Sequence, residues 1–124
     1  MKEVHWGEAF NAASKYTESD KVLLVVFSDP DCDVCNHIIP YIEAYSDEHP
    51  EDYEVMIVKD YKGFPFPPLT TPIAYAFIPN CPDQMPLSRM GAAPPDAIKN
   101  DIEKQIRCMK EGLSYKKVSE EWQS

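Results

Sequence analysis

The 124-residue sequence has no apolar run approaching the roughly 20 residues that a membrane-spanning helix needs, so no membrane association is expected. Basic residues are scarce: 12 Lys and Arg stand against 21 Asp and Glu, a formal net charge of −9 at pH 7. Nucleic acid and anionic membrane surfaces are bound by clustered Lys and Arg. Neither is expected as a partner, and acidic substrates are disfavoured for the same reason. No apolar segment of the kind found in a secretory leader follows Met1-Lys2-Glu3, so a cytoplasmic location is expected. Four cysteines do not make a disulfide-stapled composition, and in a reducing compartment they are expected to be thiols. Internal repeats, low-complexity tracts and linkers are also lacking. A single domain over residues 1–124 is therefore expected, long enough to bury about two-thirds of its surface around one core.

Against this background one stretch stands out, Cys32-Asp33-Val34-Cys35. The apolar run Val22-Leu23-Leu24-Val25-Val26-Phe27 leads into it, and the helical pattern Asn36-His37-Ile38-Ile39-Pro40-Tyr41-Ile42 leaves it. Two sulfurs two residues apart at a helix start can close a small disulfide ring and reopen it. The first sits where unpaired backbone N–H groups and the positive end of the helix dipole favour a thiolate, and the thiolate is the form that attacks another disulfide.

With these residues in view, the chain resembles the thioredoxin family. Cys32 matches the family's nucleophilic cysteine and Cys35 its resolving cysteine. Pro40 matches the proline of the active-site helix. Thr71-Pro72 matches the residue and cis-proline that face the cysteines, and Gly91 the glycine after the last strand. The similarity covers about residues 21–106, with a helical extension expected at about 113–122. It implies an α/β thioredoxin fold: a four- to five-stranded mixed sheet with helices on both faces, the strand at Tyr53 beside that at Lys21, then those at Ile73 and Met85.

Periodicity supplies the elements. Val4 to Trp6 reads as a short edge strand or a lead-in. Gly7 to Glu18 reads as a helix with Phe10, Ala13 and Tyr16 or Thr17 on its inner face, and Trp6 as a core residue at its start. Lys21 to Ser28 reads as a strand whose run of six apolar residues, Val22 to Phe27, lacks alternation, which implies burial on both faces. Cys35 to about Glu48 is the active-site helix and Tyr53 to Lys59 a strand. Residues 60–70 depart from the family, which carries a short helix there. Pro65, Pro67 and Pro68 disfavour one, and an extended loop is expected, its Phe64 and Phe66 either tucked against the core or forming an apolar lip for partners. Ile73 to Ile78 and Met85 to Met90 are strands. Pro94-Pro95-Asp96 opens a helix with Ile98, Ile102, Ile106 and Met109 as its buried stripe, and Gly112 as its stop. Ser114 to Trp122 reads as a last helix with Tyr115, Val118 and Trp122 on one face.

The resemblance implies a thiol–disulfide oxidoreductase, reducing protein disulfides and serving cell redox homeostasis. Cys32 would be the nucleophile, Cys35 the resolving thiol, and Val34, Thr71 and Pro72 the surface that contacts substrate. No cofactor and no metal are implied. The expected partners are a disulfide-containing protein and a reductase that recharges the dithiol, with the chain acting as a monomer. Several positions depart from the family. Asp31 replaces the usual Trp, Asp33-Val34 replaces Gly-Pro, and the buried aspartate behind the resolving cysteine falls on Val26, with its neighbouring lysine near Met56. These departures favour an alternative, a binding module that holds a partner at the Pro/Phe loop and the Thr71-Pro72 edge with a weakly active or regulatory cysteine pair. His37 is the nearest substitute base, though a helix residue two positions after Cys35 more often faces solvent. Cys32, Cys35, His37 and Cys81 supply ligand types for zinc, but the second close pair of a zinc ribbon is missing. Cys81 reads as an exposed turn cysteine and Cys108 as a small buried apolar residue, neither with a partner in spacing.

Overall fold

The computed structural model describes residues 1–83 and 87–123. Among these residues five strands form one sheet: β1 (Lys2–Glu3), β2 (Val22–Phe27), β3 (Tyr53–Val58), β4 (Ile73–Phe77) and β5 (Leu87–Met90), in the order β1-β3-β2-β4-β5. The α-helices are α1 (Trp6–Ser14), α2 (Asp33–Asp47), α3 (Pro95–Glu111) and α4 (Tyr115–Gln123). β2 runs parallel to β3 with Val22 opposite Tyr53, and antiparallel to β4 with Phe27 opposite Ile73. β4 and β5 are antiparallel, and β1 adds a parallel edge beside β3. This is the expected mixed sheet with helices on both faces. Met85, expected to start the last strand, lies outside the described residues.

Side chains alternate across a strand, and every position of β2 is apolar. Val22, Leu24 and Val26 therefore share a core with Ile38 and Ile42 of α2, Ile98, Ile102 and Ile106 of α3, and Val118 of α4. Leu23 and Val25 point the other way, toward Met56 and Val58 of β3 and Ala9 of α1. Each fully buried Val or Ile contributes roughly 1.5–3 kcal/mol. Held from both sides, β2 is a fixed post whose C-terminal end carries the cysteine loop. α3 begins with Pro95 in its first turn and ends where Gly112 takes φ 66°, the left-handed conformation that glycine adopts without strain.

Of the two readings of Val4–Trp6, the lead-in holds: the edge strand lies ahead of it at Lys2–Glu3, and the buried Val4 donates its N–H to the Ile57 carbonyl at 2.8 Å. Three local expectations are corrected. α1 stops at Ser14, and a separate 3-10 turn follows at Tyr16–Glu18. Phe10 is 65% exposed, because Ala9, Ala12 and Ala13 occupy the helix face that meets the sheet. Cys81 is half-buried rather than exposed.

Residues 60–70 form turns and extended chain, without a helix, as the prolines require. Aromatic packing stands where the family's helix would be. Trp6 donates its indole N–H to the Lys62 carbonyl at 2.8 Å and lies 5.2 Å from the Phe64 ring. Phe64 also stacks on Phe27 at 5.8 Å, while Phe66 is 81% exposed. Phe64 is thus tucked against the core, and Phe66 is not.

Candidate active site

β2 ends at Phe27, and the buried Ser28 still donates its N–H to the Val58 carbonyl at 2.9 Å. The chain then turns sharply. Asp29 Oδ1 accepts the Asp31 N–H at 2.9 Å, and the Asp29 carbonyl accepts the Cys32 N–H at 3.0 Å. This aspartate-built turn sets Cys32 at the N-cap of α2 with extended backbone, φ −93° and ψ 106°. Its Sγ accepts the Cys35 N–H at 3.1 Å, filling one of the donors that a helix start leaves unpaired. Cys32 and Cys35 are joined in a disulfide with their Cα atoms 5.2 Å apart. Their exposures differ: Cys35 is fully buried and Cys32 is partly open. Cys32 is therefore the more accessible residue of the pair.

The opposite wall comes from the start of β4. The Thr71–Pro72 peptide bond is cis, and the Thr71 carbonyl oxygen lies 3.6 Å from Cys32 Sγ. The Pro72 carbonyl accepts the Gly91 N–H at 3.1 Å, tying this turn to the end of β5. Gly91 has φ 79°, and a Cβ there would meet nothing within 4 Å, so the glycine answers a conformational demand rather than a lack of space. Among the residues expected at the site, Cys32 contacts both Cys35 and Thr71. Val34 is exposed in the first turn of α2. Pro72 is buried.

Val26 is fully buried, and among the described residues no carboxylate is buried. Val26 instead borders a largely apolar cavity of about 170 Å³ shared with Ile38, Pro72, Gly91 and Ile102, whose lining also includes the half-buried Asp101 and the buried Gln105. His37 is exposed, edge-on to Tyr41 at 5.8 Å, and so is not a base behind Cys35. The zinc ligand set is not assembled. β4 runs away from Pro72 to Phe77, which pairs with Leu23 near the start of β2. Cys81 therefore lies past the far end of the sheet from Cys32.

Asp31 and Asp33 are exposed beside the cysteines, with Asp29 half-buried. Sequence reasoning missed the Tyr61 hydroxyl, which donates to the Ser28 carbonyl at the base of the cysteine loop. Burial, and secondly the Asp29 charge, push the Tyr61 phenol above its ordinary value. It also missed the Trp6 clamp on the 60–70 loop. Neither has a local signal, because the partners lie 33 and 56 positions apart.

No protein-family model matches the sequence, and no curated protein sequence matches it. Solved structures do match. Chloroplastic thioredoxin z superposes with a TM-score of 0.65 at 19% identity, over 87% of this chain and 95% of that one. The Malassezia sympodialis thioredoxin Mala s 13 superposes with a TM-score of 0.62 at 18% identity, over 86% of this chain and 90% of that one. The chain has the thioredoxin fold, with a disulfide-bonded CxxC pair at the start of its second helix.

Proposed function

We infer that this protein is a thiol–disulfide oxidoreductase that reduces protein disulfides by dithiol exchange. The observation that carries this reading is the asymmetric pair at the start of α2: a partly open Cys32 capping the helix and a fully buried Cys35 bonded to it. In the reduced state the helix N-terminus favours a Cys32 thiolate. That thiolate attacks one sulfur of the substrate disulfide, forms a mixed disulfide and releases the other substrate sulfur as a thiolate that takes a proton. Cys35 then gives up its proton and attacks Cys32 Sγ, releasing the second substrate thiol and regenerating the internal disulfide. Val34 and Thr71 supply the contact rim, with the Thr71 backbone open to an extended substrate segment, and Pro72 fixes the turn. A cytoplasmic, monomeric chain recharged by a separate reductase completes the reading.

Insulin reduction by dithiothreitol tests it. The wild type is expected to accelerate precipitation of the insulin chains and Cys32→Ser to leave the uncatalysed rate. Equal rates for the two proteins would remove the reductase assignment.

A second reading is favoured by one specific observation. Val26 holds the place of the family's buried acid, while Phe66 and Leu69, at 81% and 104% exposure, stand unburied on the loop leading to Thr71. Under that reading the loop and the Thr71 edge bind a partner, and the cysteine pair is weakly active or regulatory.

A further inference from the structure

The turn after β4 sets Cys81 against the core cluster that holds Cys108, at the end of the sheet away from Cys32. Asn80 Nδ2 donates to the Met109 carbonyl at 2.8 Å, docking the turn on the last turn of α3. Next to it, Cys81 Sγ donates to the Leu113 carbonyl at 3.5 Å. The Leu113 N–H in turn donates to the Cys108 carbonyl at 3.2 Å. The Cys81 side chain packs against the core cluster that contains Cys108, and Leu113 is hydrogen-bonded to both residues.

We propose that Cys81 and Cys108 are a second disulfide-forming site, oxidised by a small-molecule disulfide of the glutathione type. The pair has the asymmetry that exchange needs. Cys81 is partly open and is the entry thiol; Cys108 is fully buried and resolves. The Cys81 thiolate attacks one sulfur of glutathione disulfide. The glutathione S–S bond breaks, a Cys81–glutathione bond forms, and one glutathione leaves as a thiolate that takes a proton. Cys108 then loses its proton and attacks Cys81 Sγ, which expels the second glutathione. Two protein thiols are oxidised to one disulfide, and one glutathione disulfide is reduced to two thiols.

The surroundings set the rate and the resting state. Burial pushes the Cys108 thiol up to about 12, with the neighbouring Cys81 as the second cause. Burial also pushes Cys81 up. Scarce thiolate makes the first attack slow at neutral pH. The same destabilised thiolates favour the disulfide once it has formed, the reverse of a pair whose reduced form is stabilised. Asp83 links the site to α4. Its Oδ2 accepts both the Cys81 thiol, at 3.5 Å, and the Tyr115 N–H, at 2.7 Å, in the first turn of that helix. Oxidation removes the thiol donor from Asp83 and leaves the helix contact.

Non-reducing peptide mapping tests the proposal. Wild-type protein is incubated with glutathione disulfide, quenched in acid, alkylated and digested. The expected product joins Cys81 to Cys108, retains no glutathione, and forms faster at mildly alkaline than at neutral pH. In Cys108→Ala the glutathione is expected to stay on Cys81. The proposal is overturned if wild-type Cys81 holds glutathione while Cys108 remains alkylatable. It is equally overturned if both thiols stay free when Cys32–Cys35 is fully oxidised, or if either pairs with Cys32 or Cys35. The wild-type map decides even where the alanine variant fails to fold.

Discussion

Cys32 Sγ lies 3.6 Å from the Thr71 carbonyl oxygen although 39 positions separate the two residues. The sheet register makes the contact: Ile73 pairs with Phe27, so the residues before β4 are delivered beside the loop that follows β2. An extended substrate segment pairing with Thr71 would therefore carry its own sulfur to Cys32. Cys35→Ser is expected to trap a Cys32-linked mixed disulfide, because the resolving attack is removed. A thiol-sensitive, higher-mass band with a disulfide substrate on a non-reducing gel reads this. A trapped adduct on any other cysteine would contradict the assignment of Cys32 as the entry sulfur.

The reduction potential follows from two opposing influences on Cys32. The helix start favours its thiolate, while Asp29, Asp31 and Asp33 place negative charge close by in sequence and disfavour it. A less stabilised thiolate makes the pair more reducing. The Cys32–Cys35 couple is expected at or below the thioredoxin value of about −270 mV. Equilibration against glutathione and dithiothreitol buffers measures it. A potential near −120 mV, the range of strong oxidases, would mean that the acidic residues do not govern the site.

Val26 tests the missing proton acceptor. Val26→Asp places a carboxyl beside the 170 Å³ cavity, in the position of the family's buried acid. Desolvation raises the pKa of the introduced carboxyl above its unfolded value. The native state then binds more protons than the unfolded state. Stability relative to the wild type is best below the unfolded pKa and falls as pH rises through the folded one. Burying the neutral group costs about 1–3 kcal/mol, which urea titration at acid pH reads. Above the raised pKa the carboxylate accepts the Cys35 proton, and insulin reduction is expected to run severalfold faster than in the wild type. An unchanged rate would show that Cys35 already has an adequate route for its proton.

Residues with a local pattern were legible before the structure. The unbroken apolar run of β2, the stripe Ile98, Ile102 and Ile106, and the glycine stop at Gly112 each record their surroundings in their own neighbours. The paired cysteines at a strand–helix junction belong to the same class. The rest depended on contacts between distant segments. Phe10 fits a helical face by spacing, yet the smaller Ala9, Ala12 and Ala13 let α1 approach the sheet and turn Phe10 outward. Trp6 reaching Lys62 and Cys81 reaching the end of α3 have no signature in spacing, because the sheet brings them together.

Tyr61 links the variable loop to the base of the site. Tyr61→Phe removes its hydrogen bond to the carbonyl of the buried Ser28 and is expected to cost about 1–3 kcal/mol. The phenol is held above its ordinary value, by burial first and by Asp29 second. A raised folded-state pKa means that the hydroxyl's contribution is complete below the unfolded value of about 10 and is lost as pH rises through the folded one. The stability gap between wild type and Tyr61→Phe should therefore narrow only in strong alkali. A gap that closed between neutral pH and that range would assign the effect to another group.

Phe66 separates the two functional readings. At 81% exposure it buries little area, so Phe66→Ala should change stability by no more than about 0.5 kcal/mol. Its ring lies 6.4 Å from Phe64, on the loop that leads into Thr71. A protein substrate docked at the Thr71 edge is large enough to cover that ring; a small disulfide such as glutathione disulfide is not. Phe66→Ala is therefore expected to raise KM for a protein disulfide severalfold while leaving the rate on the small disulfide unchanged. Equal losses on both substrates would place the effect at the cysteines and count against an apolar lip. Binding to a protein partner that survives Cys32→Ser but falls with Phe66→Ala would instead support the binding-module reading, since affinity would then reside in the loop and not in sulfur exchange.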